Sequence, residues 1–204
     1  MIYVCCVLPT AGMERKNWER LLSEARREKT GRITNASAKA QSIGAELALI
    51  GALRMRDANF EPPDTYVYAD RKPMRKDGLY MSLTHTNGAC AAAISESPVG
   101  IDIERPRTIR ETLAKRVLTQ EEYAEYAASR NKDMYFLEKW TKKESEYKCG
   151  ISPCETRHMR LPGGIMLAIS GADTANVVLT CRNDQYFEGF PCGNLYGKIQ
   201  KKLI

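Results

Sequence analysis

Four side chains in two short segments carry the strongest chemical signal: Asp102 and Glu104, then Glu144 and Lys148. In Val99-Gly100-Ile101-Asp102-Ile103-Glu104, apolar and polar residues alternate with the period of a half-buried strand. Val99, Ile101 and Ile103 take one face; Gly100, Asp102 and Glu104 take the other. Carboxylates side by side repel and favour a cation between them. A hard divalent ion with oxygen ligands, most simply Mg²⁺, suits the pair, and Gly100 leaves room on the same face. Downstream, a helix is predicted over 133–149, ended by Gly150 as its C-cap. Glu144 and Lys148 are four apart and share a face of it. Packed over the acidic strand, that face would offer the metal a third carboxylate and a phosphate oxygen a positive charge. Taken singly, the four residues read as solvent-facing charges, the last two as an exposed pair worth only about 0.3–0.5 kcal/mol.

The elements that must hold these groups read as follows. Residues 2–8 form a first strand. Asn17 to about Lys29 is expected to be an amphipathic helix with Trp18, Leu21, Leu22 and Ala25 on one side. A second helix, from about Ser37 to Met55, is rich in Ala, Leu and Ile and is expected to be buried. Pro62 and Pro63 break the chain, Tyr66-Val67-Tyr68 is a short strand, and Asp70 to Gly78 is a basic turn. Strands over 79–83 and 89–95 flank Asn87-Gly88, a hairpin signal. After the acidic strand come a helix at about 109–117 and another that Thr119 and Glu122 begin with a capping box. Strands over 165–169 and 175–180 follow the main helix, with no repeat in residue identity.

Composition narrows the class. The chain has 204 residues, is 43% hydrophobic and carries a net charge of +6, enough for one large domain or two small ones. It has no apolar run of about 18 residues, so no transmembrane helix is expected. The apolar start lacks a basic region and reads as a strand rather than a signal peptide. Seven cysteines without metal spacing suggest reduced, mostly buried thiols and a cytoplasmic protein. The basic residues gather early, at 15–32 and 71–76; most are ordinary solvated charges, and the excess also suits an acidic partner.

The two segments together resemble the signature of the 4′-phosphopantetheinyl transferases. Gly100-Ile101-Asp102-Ile103-Glu104 is similar to the family's G-[IV]-D-x-E strand. Trp140-Thr141-Lys142-Lys143-Glu144-Ser145-Glu146-Tyr147-Lys148 is similar to its [FW]-[STC]-x-K-E-[SA]-x-x-K helix. Weaker matches lie upstream in the same order: Arg71-Lys72-Pro73, Ser82-Leu83-Thr84-His85-Thr86, and the basic stretch from Arg27 to Gly44. Arg71 stands where the family has glycine, and Pro106 where some members have a hydroxyl residue. The length resembles the double-length, Sfp-like form.

The resemblance implies an α+β fold, a pseudo-dimer of two similar α/β halves, each a small antiparallel sheet packed with helices. The halves would be 1–97 on the coenzyme A 3′-phosphate side and 98–204 with the metal signature. It implies Mg²⁺-dependent transfer of the phosphopantetheine arm of coenzyme A to a serine of an apo acyl or peptidyl carrier protein, an acidic partner, with release of 3′,5′-ADP. Asp102, Glu104 and Glu144 would be metal ligands, and Glu144 and Lys148 catalytic. Arg26, Lys29, Lys72, Thr84, His85 and Lys148 would bind coenzyme A, and Ser42 is similar to a phosphate-contacting threonine. His158 lacks motif context and is expected to be structural. The implied protein is a monomer that needs neither nucleic acid nor membrane. Two other readings stay open: a metal-dependent phosphoryl enzyme such as a nuclease, which would act on nucleic acid without coenzyme A, and a non-catalytic carrier-binding module, which would be missing a ligand carboxylate.

Overall fold

Strand β1 (Ile2–Leu8) is almost wholly buried because both its edges and both its faces are covered. In this computed structural model, residues 1–18, 20–62, 67–69, 72–74 and 78–188 are described, with 67–69 and 72–74 as backbone only. Helix α1 spans Glu24–Gly31 and α2 Ala36–Arg56. The short strands β2 (Val67–Ala69) and β3 (Lys72–Met74) pair with each other. Strands β4 (Tyr80–Thr86) and β5 (Ala89–Ser95) form a hairpin around Asn87-Gly88, with Gly88 at φ 72°. Strand β6 (Val99–Glu104) is followed by helices α3 (Glu111–Val117), α4 (Gln120–Ala128) and α5 (Lys132–Cys149). Strands β7 (Glu155–Arg160), β8 (Met166–Gly171) and β9 (Val177–Asn183) and helix α6 (Gln185–Glu188) follow.

The strands make two main sheets. One has the order β4-β5-β1-β9, the other β6-β8-β7. Within each, a strand pairs antiparallel with the distal arm of a later hairpin: β1 with β5 of β4–β5, β6 with β8 of β7–β8. A long helix covers each sheet, α2 over β1 and β5, α5 over β6 and β8. Strand β9 returns to the first sheet and pairs parallel with β1.

Alternation divides the core. Cys5 and Val7 of β1 pack with Ile43, Leu47 and Ile50 of α2. Ile2, Val4 and Cys6 point the other way and meet Val99, Ile101 and Ile103 of β6 and Leu167 and Ile169 of β8, so this second core joins the two sheets. A third cluster, around Phe136, Leu137 and Tyr126, fixes α3 and α4 to α5. At about 25 cal/mol per Å² of apolar area, such burial dominates the folding energy.

Several expected elements differ. Trp18, Leu21 and Leu22 are buried as expected, but they lie in turns; α1 begins only at Glu24, because Ser23 caps it by accepting from the Arg26 amide. Ala25 is exposed. Lys72–Met74 is a strand rather than part of a turn, and Tyr66, Asp70 and Arg71 lie outside the described residues. Strand β7 carries almost no apolar alternation because it is a half-buried sheet edge. The capping box at Thr119 and Glu122 and the left-handed C-cap at Gly150 are present. The six described cysteines are free thiols, four of them buried. No helix among the described residues is long and apolar enough to cross a membrane.

Candidate active site

Strands β4 and β6 are edges of different sheets, and they lie side by side at the seam. Strand side chains alternate, so Ser82, Thr84 and Thr86 share one face of β4 and meet β6 in a row. The Ser82 hydroxyl accepts from the Ile101 amide at 3.1 Å. Thr84 Oγ1 donates to Asp102 Oδ1 at 3.0 Å, and Thr86 Oγ1 approaches Glu104 Oε2 at 3.4 Å.

Helix α5 closes the other side. A Cβ on Gly100 would overlap the Ser145 carbonyl oxygen and stand 2.5 Å from the Cys149 nitrogen. The room that glycine leaves is therefore filled by helix backbone. This close crossing lets Lys148 reach down: its Nζ donates to Asp102 Oδ1 at 2.6 Å and to the Ile101 carbonyl at 3.2 Å. Ser145 shares a hydrogen bond with Ser170 of β8 at 2.7 Å, and Ser170 another with Thr156 of β7 at 2.8 Å, which pins the helix over the second sheet.

The carboxylates have different surroundings. Asp102 is buried; Oδ1 is held by Thr84 and Lys148, while Oδ2 is buried with no hydrogen-bond partner. Such an orphan is costly unless something else meets it. Glu104 is half-buried, and burial pushes its carboxyl above the usual range; Arg107 opposes this, its guanidinium 3.7 Å away, while Asp102 adds to it. The Trp140 indole on α5 also bears on Glu104. Glu144 is half-buried on α5 and has no ion pair or hydrogen bond among the described residues.

An unsatisfied buried carboxylate oxygen with a second carboxylate two residues on is a hard-oxygen donor set that fits a divalent cation. Among the described residues, however, no three His, Cys, Asp or Glu side chains stand as a ready group of metal ligands. Lys148 supplies an opposite charge to Asp102 on its Oδ1 side.

The expected nucleotide residues fall into two groups. Lys29 of α1 and His85 of β4 are exposed. Burial by neighbouring atoms lowers the His85 pKa first, and then Lys29, Arg26 and Lys148 lower it further, so three cationic side chains bear on this imidazole. Burial and Arg26 also lower Lys29. Such a gathering of positive charge suits an anion. Arg26 itself is only 4% exposed; its Nε donates to Glu46 at 2.7 Å and its Nη1 to Ser42 at 3.1 Å. Ser42 is buried as the acceptor in that bond, and Thr84 donates its hydrogen to Asp102. Lys72 stands in β3, its side chain outside the described residues. His158 faces the Glu138 carbonyl oxygen at 3.0 Å, a structural link between β7 and α5.

The sequence alone marks no individual role for Ser82, Thr86, Trp140 or Glu46. The alternation of hydroxyls in β4 against that of acids in β6 was the available signal for the first two. Nothing local marked Glu46, a buried acid within an apolar helix.

Residues 98–161, the span from β6 through β7, match the family model of the 4′-phosphopantetheinyl transferase superfamily. Asp102, Glu104, Glu144 and Lys148 all lie within this span, whereas the cationic group on α1 and β4 lies outside apart from Lys148. No curated protein matches the chain. The matched segment thus contributes the acids and the lysine, and the upstream sheet contributes the hydroxyls that hold two of the acids.

Proposed function

We propose that this protein transfers the 4′-phosphopantetheine arm of coenzyme A to a serine of an apo carrier protein, with Mg²⁺ as its metal, as a cytoplasmic holo-acyl-carrier-protein synthase of the Sfp-like kind. The observation that carries the proposal is the buried, unpartnered Oδ2 of Asp102 at the β4–β6 seam, with Glu104 beside it and Lys148 on its other oxygen. The recurring strand order β4-β5-β1 and β7-β8-β6 supports a doubled architecture with halves near 1–97 and 98–204, β9 being exchanged between them.

Asp102 and Glu104 would hold the metal, with Glu144 as the third carboxylate. When bound, the metal supplies positive charge that neutralises the diphosphate and the departing 3′,5′-ADP. Thr84 and Thr86 orient the two strand carboxylates. Lys148 carries a charge from Asp102 to a phosphate oxygen within a short swing of its side chain. Of the three acids, Glu144 alone has no hydrogen bond or ion pair among the described residues, so it is the one available to take the proton of the attacking serine. Lys29, Lys72 and His85 meet the 3′-phosphate. The excess of basic residues suits an acidic carrier.

The test is incubation with coenzyme A, Mg²⁺ and a panel of apo carriers, read by mass spectrometry. One carrier gaining the mass of a single arm, with none gained in the Glu144→Gln variant, is the expected result. Cleavage of nucleic acid with no carrier modified would replace this function with a nuclease.

A further inference from the structure

Arg26 and Glu46 form a buried ion pair that none of the proposed chemistry uses. Glu46 is 1% exposed, and its two oxygens are divided between two parts of α1. Oε1 accepts from the Ser23 amide at 2.6 Å, the cap residue of α1; Oε2 accepts from Arg26 Nε at 2.7 Å. Ser23 in turn caps the Arg26 amide at 3.3 Å, and Arg26 Nη1 reaches Ser42 of α2. One carboxylate of α2 therefore fixes both the start of α1 and its first buried side chain.

Arg26 of this junction lies near enough to bear on both Lys29 and His85. Gly44 of α2 allows contact with Cys90 of β5, where an added Cβ would come within 2.7 Å of the sulfur. Cys90 is the register partner of His85. Lys29 lies three residues beyond Arg26, exposed, on the same short helix. Moving α1 relative to α2 would thus move Lys29 relative to His85. A charge pair this buried costs desolvation and is weak evidence for stability, but removing one partner leaves the other charge buried and unpaired.

We infer that the Arg26–Glu46 bridge is a positioning device for the 3′-phosphate subsite, setting Lys29 against His85, and that Arg26 is not itself a phosphate ligand. This rests on the coenzyme A reading of the site. A mere counter-charge would act in the opposite direction, since removing the negative Glu46 would then strengthen phosphate binding.

The experiment compares coenzyme A with 3′-dephospho-coenzyme A as donor, by KM and kcat, in the wild type, Glu46→Gln and the double variant Arg26→Gln/Glu46→Gln. Glu46→Gln is expected to reduce the preference for coenzyme A about tenfold through KM, the worth of about one charged hydrogen bond, with kcat little changed. The double variant, which keeps an amide bridge without buried charge, is expected to regain the preference to within about threefold. It also carries the test should Glu46→Gln fail to fold. An unchanged or increased preference in Glu46→Gln, or a double variant that has lost it, overturns the inference; the latter makes Arg26 a direct ligand. A wild type that uses neither donor, or both equally, refutes the coenzyme A site itself.

Discussion

Lys148 Nζ lies 2.6 Å from Asp102 Oδ1, which leaves the second oxygen of that aspartate buried and without a hydrogen-bond partner. A lysine and a divalent ion compete for the charge of one carboxylate. Replacing Lys148 by Met should therefore cost roughly 2 kcal/mol of stability, below the range for a fully buried pair because Lys148 is partly exposed. It should also make Mg²⁺ raise the Tm more in the variant than in the wild type. Thermal unfolding with and without Mg²⁺ checks both; equal Mg²⁺ responses would show that the lysine and the metal do not share Asp102.

Thr84→Val keeps the shape of the side chain and removes its hydrogen bond to Asp102. A lost bond to a buried carboxylate costs about 1.5–3 kcal/mol. If the hydroxyl serves Asp102, kcat falls while the KM for coenzyme A stays nearly constant. A change confined to that KM would return Thr84 to the nucleotide site.

Gly100→Ala would force a methyl into the backbone of α5 at Ser145 and Cys149. Neither neighbour is a flexible side-chain tip, so the helix must shift. The expected loss is about 3 kcal/mol or more, at the upper end of overpacking, measured by urea unfolding, with activity lost even in the fraction that stays folded. A fully active, stable Gly100→Ala protein would mean that the helix does not lie where Lys148 needs it.

Much of this site was legible in the chain. The alternation of β6 and the i,i+4 spacing on α5 were enough to pair Asp102 with Lys148's face. The role of Gly100 was only half legible: a glycine announces space, but its occupant, the Ser145 carbonyl, comes from a helix more than forty residues away. The burial of Arg26 was hidden for the same reason, since its partner Glu46 lies twenty residues on in a helix that reads as apolar. Strand β7 escaped because an edge strand with polar residues on both faces has no period to find. The Asn17–Lys29 stretch has helical spacing, but Ser23 offers a cap at its middle, and the cap won.

His85 gives a pH dependence. Burial and then Lys29, Arg26 and Lys148 hold its pKa below the ordinary histidine value of about 6.5. A depressed base is protonated more readily in the unfolded chain, so its contribution to stability is lost as pH falls below about 6.5. A bound phosphate reverses the sign by favouring the imidazolium. Coenzyme A binding should therefore take up protons and raise the His85 pKa. With only two histidines in the chain, NMR titration of the ring protons resolves it. A His85 pKa that does not move on adding coenzyme A would remove this residue from the phosphate site.

In the proposed reaction Asp102 and Glu104 hold the cation that grips the diphosphate. The most direct measurement is anomalous scattering from crystals grown with Mn²⁺ and coenzyme A. The predicted result is one peak within ligand distance of Asp102 Oδ2 and Glu104, touching the diphosphate, with Lys148 turned from Asp102 to a phosphate oxygen. A peak elsewhere, or coenzyme A bound with Lys148 still on Asp102 and no metal at the seam, would contradict it.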